Sequence, residues 1–297
     1  MIVGIRIDML TAARRAPGAL EGPAVARARE FLLGRAHPDG GFTDRAGNPD
    51  LYYTPFAVDG LLALGAEPAW EPLASFLGRF GGGEGLDLVH LASLVRAWTA
   101  MPAGRLPAET RLGMLRRLEA FRAADGGAAA APGAARGDVY GAFVVLGATQ
   151  DLGATLRDRD RLLRGLPGLA AADGGFANEP GMKEGITTVT AAAAVLLREL
   201  GASVPQGIGG WLRARHVPGG GFAAAPSVPV PDLLSTATAL FALARLGEPL
   251  EALQDSCLDY LDSLWDPRGA FRGGAGDAVL DCEHAFYGLL ALGVLAG

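Results

Sequence analysis

Six segments of the chain are apolar on nearly every side. They read DLYYTPFAVDGLLALG from Asp50, DLVHLASLVRAWTAM from Asp87, DVYGAFVVLGATQDLG from Asp138, EGITTVTAAAAVLLREL from Glu184, DLLSTATALFALARLG from Asp232 and DCEHAFYGLLALGVLAG from Asp281. Each is long enough for a helix of four turns, and none alternates as a half-buried strand does. An acid opens every one. Aspartate is a favoured N-cap, and a negative charge there answers the helix dipole, so Asp50, Asp87, Asp138 and Glu184 are expected to cap. Gly65, Gly153, Gly201 and Gly247 stand where C-caps belong.

Between these runs lie more polar, amphipathic segments, such as GPAVARAREFLLGRA, PAETRLGMLRRLEAFRAA and PLEALQDSCLDYLDSLW. An element apolar all round belongs inside, and one with a single apolar stripe belongs in an outer layer. The punctuation repeats as well. HPDGGF (37–42), RFGGGEG (79–85), AADGGA (123–128), AADGGF (171–176), PGGGF (218–222) and DPRGAF (266–271) recur every 42 to 49 residues. A period in that range means stacked supersecondary units. The fold class is therefore all-α, six helix pairs in an α/α toroid with six inner and six outer helices. An open solenoid would need a polar capping repeat at each end, whereas the last segment is apolar to its final residues, so the ring is expected to close. Residues 1–297 read as a single domain, with an extra N-terminal helix within 1–18.

Bulk composition narrows the function. Half the residues are hydrophobic, a fifth are charged, and the formal net charge is −6. With no dense Lys/Arg stripe, a nucleic-acid surface and electrostatic docking on anionic lipid are not expected. No run approaches the roughly 18 apolar residues of a transmembrane segment. Two cysteines, Cys257 and Cys282, make no disulfide framework, and the N-terminus lacks a long apolar signal region. A cytoplasmic protein is the expectation, and the Ala, Gly and Arg richness points to a high-GC bacterial source.

In a ring the inner helices run the same way, so their N-termini gather at one rim, a cluster of positive dipole ends. Three positions after each opening acid stand Tyr53, His90, Gly141, Thr187, Ser235 and His284. The sixth helix start is the densest in chemistry, with Asp281, Cys282, Glu283 and His284 in one turn. Oxygen, nitrogen and thiolate donors so close can bind zinc. Aromatic side chains on the inner helices, among them Tyr53, Trp98, Tyr140 and Phe286, with His90 at the rim, are expected to line a central pocket suited to a small-molecule isoprenoid or polycyclic lipid.

These repeats resemble those of the protein prenyltransferase β-subunit and squalene/terpene cyclase superfamily over residues 22 to 297. The Gly-Gly-Phe turn followed by an acid-led inner helix carries the resemblance. It implies two chemistries. In prenyltransferases a zinc-binding Asp opens the fifth inner helix, where Asp232 stands, and a zinc-binding His lies on the sixth, where His284 stands. The zinc-binding Cys of that family corresponds to Leu234, which leaves Cys282, or else Glu283, as the third ligand beside Asp232 and His284. The basic residues that hold a prenyl diphosphate correspond to Tyr140, Ile186 and the uncharged stretch SVPVPDLL (227–234). In cyclases the middle Asp of a DxDD run is the general acid, and Asp281-Cys282-Glu283-His284 resembles that run with Glu and His in its last two acidic places. Asp281, Glu283 and His284 are the candidate catalytic residues on either reading. The alternative is a non-catalytic toroid that binds a lipid or a partner protein, and a glycosidase acting through paired carboxylates is a third class.

Overall fold

The computed structural model describes residues 4–297; the first three residues of the 1–18 segment lie outside the described part. Thirteen α-helices are present among the described residues. Six form the inner layer: α3 (Tyr53–Ala63), α5 (Leu88–Ala100), α7 (Val139–Asp151), α9 (Thr187–Glu199), α11 (Leu233–Leu246) and α13 (Cys282–Leu295). Each packs on the next, and α13 packs on α3, so the ring is closed. The amphipathic helices α2 (Gly22–Leu33), α4 (Trp70–Gly78), α6 (Ala108–Glu119), α8 (Arg159–Gly165), α10 (Ile208–Arg213) and α12 (Glu251–Leu264) make the outer layer. Strand structure is limited to three antiparallel hairpins in the outer-to-inner connections: β1 (Phe42–Thr43) with β2 (Pro49–Asp50), β3 (Phe222–Ala225) with β4 (Val228–Asp232), and β5 (Trp265–Asp266) with β6 (Ala270–Phe271).

The same devices recur around the ring. At the upper ends, Asp87, Asp138, Asp232 and Asp281 each accept a hydrogen bond from the backbone N–H three residues on. Asp50 does the same work for the N–H groups of Tyr52 and Tyr53 at 2.7 and 3.0 Å. At the lower ends, an arginine of the outer helix reaches the orphan carbonyl that follows the inner helix: Arg29 to Leu64, Arg111 to Leu152 and Arg159 to Leu200. Acid at the N-terminus and guanidinium at the C-terminus thus both match the dipole. Buried threonines fix the turns. Phe42, Phe176 and Phe222 donate their N–H to the hydroxyls of Thr54, Thr190 and Thr236.

That threonine register corrects one expectation. Thr190 lies four residues after Ile186, as Thr54 follows Asp50 and Thr236 follows Asp232. Ile186 therefore holds the N-cap place of α9 and offers no side-chain cap. Glu184 sits two residues too early, where it accepts at 3.3 Å from Ser227 N–H. Thr187 is accordingly not a rim residue; it is fully buried and donates to the Ala223 carbonyl at 2.6 Å.

The Gly-rich turns are required by close approach. Gly40 and Gly269 have positive φ, and a Cβ there would lie 1.9 Å from the Pro72 carbonyl oxygen and 2.2 Å from that of Arg27. Only a residue without a side chain lets the turn press on the next outer helix. The Gly269 contact joins the last repeat to the first.

Helix α1 (Ile5–Ala13) closes the lower end of the ring and packs on α13, α3 and α7. Polar contacts tie it to alternate inner helices. Ile5 N–H donates to Gln150 of α7, Asp8 pairs with Arg245 of α11 at 3.1 Å, and Arg6 grips Asp59 of α3. Asp59 is fully buried and takes a second cation, Arg96 of α5, at 2.6 Å. Burial opposes the charge on Asp59, but the two guanidiniums outweigh it and hold the carboxyl below its ordinary range. Removing the shared anion strands one buried and one half-buried cation. Asp59→Ala is expected to lower unfolding free energy by about 3–5 kcal/mol, measured by urea denaturation followed by circular dichroism; a loss under 1 kcal/mol would contradict the role assigned to Asp59.

Candidate active site

The inner helices surround a chamber of about 290 Å³, at the small end for ligand pockets. Helical periodicity decides which side chains reach it. From α5 come Val89, Ala92, Ser93 and Arg96, from α11 Leu234, Thr238 and Phe241, and from α13 Glu283, Tyr287 and Leu290. This is the i, i+3, i+4, i+7 face of each helix. Tyr52, Phe56, Tyr140 and Phe143 complete an aromatic wall, and Met9 of α1 forms part of the floor. The only charged side chains among the lining residues are Glu283 and Arg96.

Of the aromatic and rim residues expected at the pocket, Tyr140 lines it. Tyr53, His90 and Phe286 lie one step off the facing stripe, which a rotation of about 100° per residue carries away from the lumen. Tyr53 follows Tyr52 and turns toward Arg45 and Asp281. His90 follows Val89, stays exposed and holds its Nδ1 2.8 Å from Asp87. Trp98 is buried in the layer behind. Phe286 precedes Tyr287 and is fully buried, its ring 6.1 Å from that of Phe56.

The start of α13 is built across the seam between last and first repeats. Asp281 caps the helix through His284 N–H at 2.8 Å. Its other oxygen meets Arg45 of the β1–β2 connection at 2.7 Å and His284 Nδ1 at 3.2 Å. Burial would raise the Asp281 carboxyl, but His284 and Arg45 outweigh it, so the group is held below the ordinary carboxylate range and stays ionised. Burial pulls the His284 imidazole down, and the Asp281 carboxylate more than restores it, for a net upward shift. Glu283 faces the chamber. Tyr52 donates its hydroxyl to Glu283 Oε1 at 2.6 Å. Burial pushes Glu283 up, the Tyr52 hydrogen bond opposes this, and the Asp281 charge adds to the rise; the net shift is upward. Two carboxyls two residues apart are thereby driven in opposite directions, the arrangement that separates an acid from a permanent anion.

The residues expected to bind zinc are not brought together as a set of three. Asp232 is committed to Ser235, whose N–H and hydroxyl donate to it at 2.7 and 2.6 Å. Cys282 is fully buried, and burial pushes its thiol up to about 12. Leu234 is part of the chamber wall. Among the described residues no group of three His, Cys, Asp or Glu side chains is placed to hold a metal ion, and none of their helices is long and apolar enough to cross a membrane.

Sequence reasoning passed over Arg96, Asp59 and Arg45. The first two carried a usable signal: each is the lone charge in the middle of an otherwise apolar inner segment. Arg45, in a loop 236 residues before Asp281, carried none.

The ion pair makes a titration prediction. Asparagine caps as well as aspartate, so Asp281→Asn should keep α13 while removing the charge that lifts His284. By NMR, His284 is expected to titrate above the 6.5 ordinary for imidazole in the unsubstituted protein and lower in Asp281→Asn, where only the Glu283 charge still opposes burial. An unchanged midpoint would show the pair to be broken in solution.

Comparison with known proteins agrees with this architecture. Solved structures share the fold, and three illustrate the range. One is a variant of the type II terpene cyclase MstE from Scytonema in complex with geranylgeranyl dihydroxybenzoate (substrate), at 15% identity over 96% of this chain and 97% of that one, with a TM-score of 0.62. A protein from Actinoplanes is 18% identical over 92% and 97% of the two chains, with a TM-score of 0.58. A glycosidase variant is 12% identical over 93% and 98%, with a TM-score of 0.53. No curated protein matches the chain. The family model for the prenyltransferase alpha-alpha toroid domain matches residues 24–78, 73–223 and 189–296, so the toroid whose seam carries Asp281, Glu283 and His284 belongs to the prenyltransferase alpha-alpha toroid domain family.

Proposed function

We propose that the protein is a terpene cyclase of the protonation-initiated kind, acting on an isoprenoid in the central chamber with Glu283 as the general acid. The observation that carries this reading is a carboxyl group kept toward its acid form by burial while it faces an aromatic-walled cavity. A carboxylic acid with a raised pKa can protonate an alkene; an ionised one cannot. Asp281 would be the positioning partner, fixed as an anion by Arg45 and His284, its charge making loss of the Glu283 proton harder. Tyr52 would orient the acid. Burial and the neighbouring Glu283 push the Tyr52 phenol upward, so it keeps its proton and remains a donor.

The chemistry balances without a co-reactant. The Glu283 O–H bond breaks and a C–H bond forms at the terminal alkene. The cation then moves along the chain as ring C–C bonds form. It ends by losing a proton to water, and Glu283 regains one from solvent at the rim. The product is an isomer of the substrate. The rings of Tyr52, Phe56, Phe143, Phe241 and Tyr287 would steady the cation through their π faces. The fold neighbour MstE, crystallised with a geranylgeranyl substrate, lends support by fold alone. Prenyl transfer from a diphosphate finds less: one cation, Arg96, lines the chamber, and several charges need several donors. A sugar chemistry is disfavoured by the apolar wall.

Two outcomes are expected when the protein is incubated with C15 and C20 isoprenoid acids, alcohols and their derivatives, and products are analysed by gas chromatography–mass spectrometry. Cyclic products should appear at unchanged mass, and Glu283→Gln should reduce their rate by about 10²–10⁴-fold, the usual worth of a general acid. Thermal stability of the variant should be nearly unaltered, since Gln keeps the shape of the group. Ligand binding with no turnover in the unsubstituted protein would instead assign it to the lipid-binding toroids.

The pH dependence follows from the sign of the shift. The active form is protonated, so the rate should be flat at low pH and fall as one proton is lost, with a midpoint above the 4.5 ordinary for glutamic acid. A rate that rises with pH through that region would exclude Glu283 as the acid.

A further inference from the structure

Arg96 is the one cation among the residues that line the chamber. It stands in the third turn of α5, on the stripe that faces the lumen, and its Nε donates to Asp59 at 2.6 Å. Asp59 does not need it for neutrality. Arg6 already bonds both oxygens of that carboxylate, at 2.6, 3.1 and 3.2 Å. Two guanidiniums therefore share one fully ionised anion. The nearby Asp151, raised by burial to about 6, is a second anion at pH 7.5, so Arg96 stands out by its free donors and not by excess charge. The Arg96 guanidinium lies 4.8 Å from the ring centroids of both Phe56 and Phe286, so it is fixed in place by stacking. Its Nη2 is buried without an acceptor, and no hydrogen bond engages Nη1 among the described residues. A buried donor without a partner costs free energy, and a cation in the wall opposes any carbocation in the same cavity.

A bound anion would give Nη1 an acceptor and screen the cation. We infer that Arg96 is the anchor for the head group of the substrate and that this substrate is an isoprenoid carboxylic acid, lying head-down with its terminal alkene at Glu283. The inference rests on the isoprenoid reading of the chamber. A carboxylate suits the site because a single guanidinium edge matches its two oxygens, whereas a diphosphate would need cations the wall lacks. Geometry sets the length. Arg96 lies nine residues after its N-cap Asp87 and Glu283 two after Asp281. At about 1.5 Å per residue the acid and the anchor are separated by roughly 10 Å along the ring axis. With a cavity of about 290 Å³, a C15 chain is favoured over a C30 one.

Binding decides the matter independently of turnover. Farnesoic acid and its methyl ester differ only in the charge of the head group. Their affinities are to be measured at pH 7.5 by isothermal titration calorimetry on the full chain, its Arg96→Gln and Arg96→Lys variants, and Glu283→Gln. The expected result is at least a tenfold preference for the acid in the unsubstituted protein, reduced to twofold or less in Arg96→Gln and to an intermediate value in Arg96→Lys, which keeps the charge and loses the fork. Glu283→Gln should retain the preference although it is expected to lose turnover. Equal affinity for acid and ester, a preference that survives Arg96→Gln, or no binding of either ligand overturns the anchor. If Arg96→Gln fails to fold, as judged by circular dichroism, Arg96→Lys decides: an undiminished preference overturns the proposal. A retained acid preference in a protein that never forms cyclic product would remove the cyclase reading and leave the anchor standing.

Discussion

The packing of α13 against α3 is the contact on which the rest of the molecule depends. Every other inner-helix interface joins neighbours in sequence, and a solenoid could make them all. Only this one closes the ring. The seam is dense with specific contacts: Tyr52 to Glu283, Arg45 to Asp281, the Arg35 guanidinium to the Leu280 carbonyl at 2.9 Å, and Phe56 against Phe286 and Tyr287. Gly269 presses on Arg27 at the outer layer of the same seam. Closure buries the final apolar helix that would otherwise be an exposed end, and hydrophobic burial is its driving force.

The candidate acid exists because of that closure. Glu283 belongs to the last repeat, but its hydrogen-bond donor and the arginine that holds its neighbour come from the first. In an open superhelix Asp281 would still cap α13, since that bond is local. Glu283 would then face water, and the burial that raises it would vanish. Folding and proton-donor chemistry are therefore coupled at one place, and the electrostatics of two adjacent carboxyls follow from which is paired with cations and which is left against aromatic rings.

The lower end of the chamber poses the opposite problem. Helix α1 must seal an apolar cavity with a segment that carries Arg6 and Asp8. It does so by placing each charge against a partner on an inner helix, Asp59 and Arg245, and Gly293 of α13 leaves room for the Ala12 carbonyl. A buried network of this kind specifies geometry more than it adds stability. It also leaves one guanidinium with donor capacity facing the lumen, which gives the chamber a polarity from Glu283 at the rim to Arg96 below.

Most of the architecture could be read from the chain alone. The all-round apolar character of six segments, their acid-led starts and the Gly-rich period were enough for an α/α toroid with inner and outer layers, because helix burial and capping are local properties repeated six times. The one misplaced cap, Glu184 for Ile186, arose where an acid lies near a helix start without opening it. The richest helix start, at Asp281, was also visible, because its residues are consecutive. What the chain could not reveal was which side of each inner helix faces the lumen and which distant groups meet there. A shift of one residue turns a side chain by about 100°, so Tyr52 and Phe56 reach the chamber while Tyr53 and Phe286 do not. The partners of the site, Arg45 and Tyr52 for α13 and Arg6 for Asp59, lie dozens to hundreds of residues away. Their proximity is a property of the closed ring, and no local pattern encodes it.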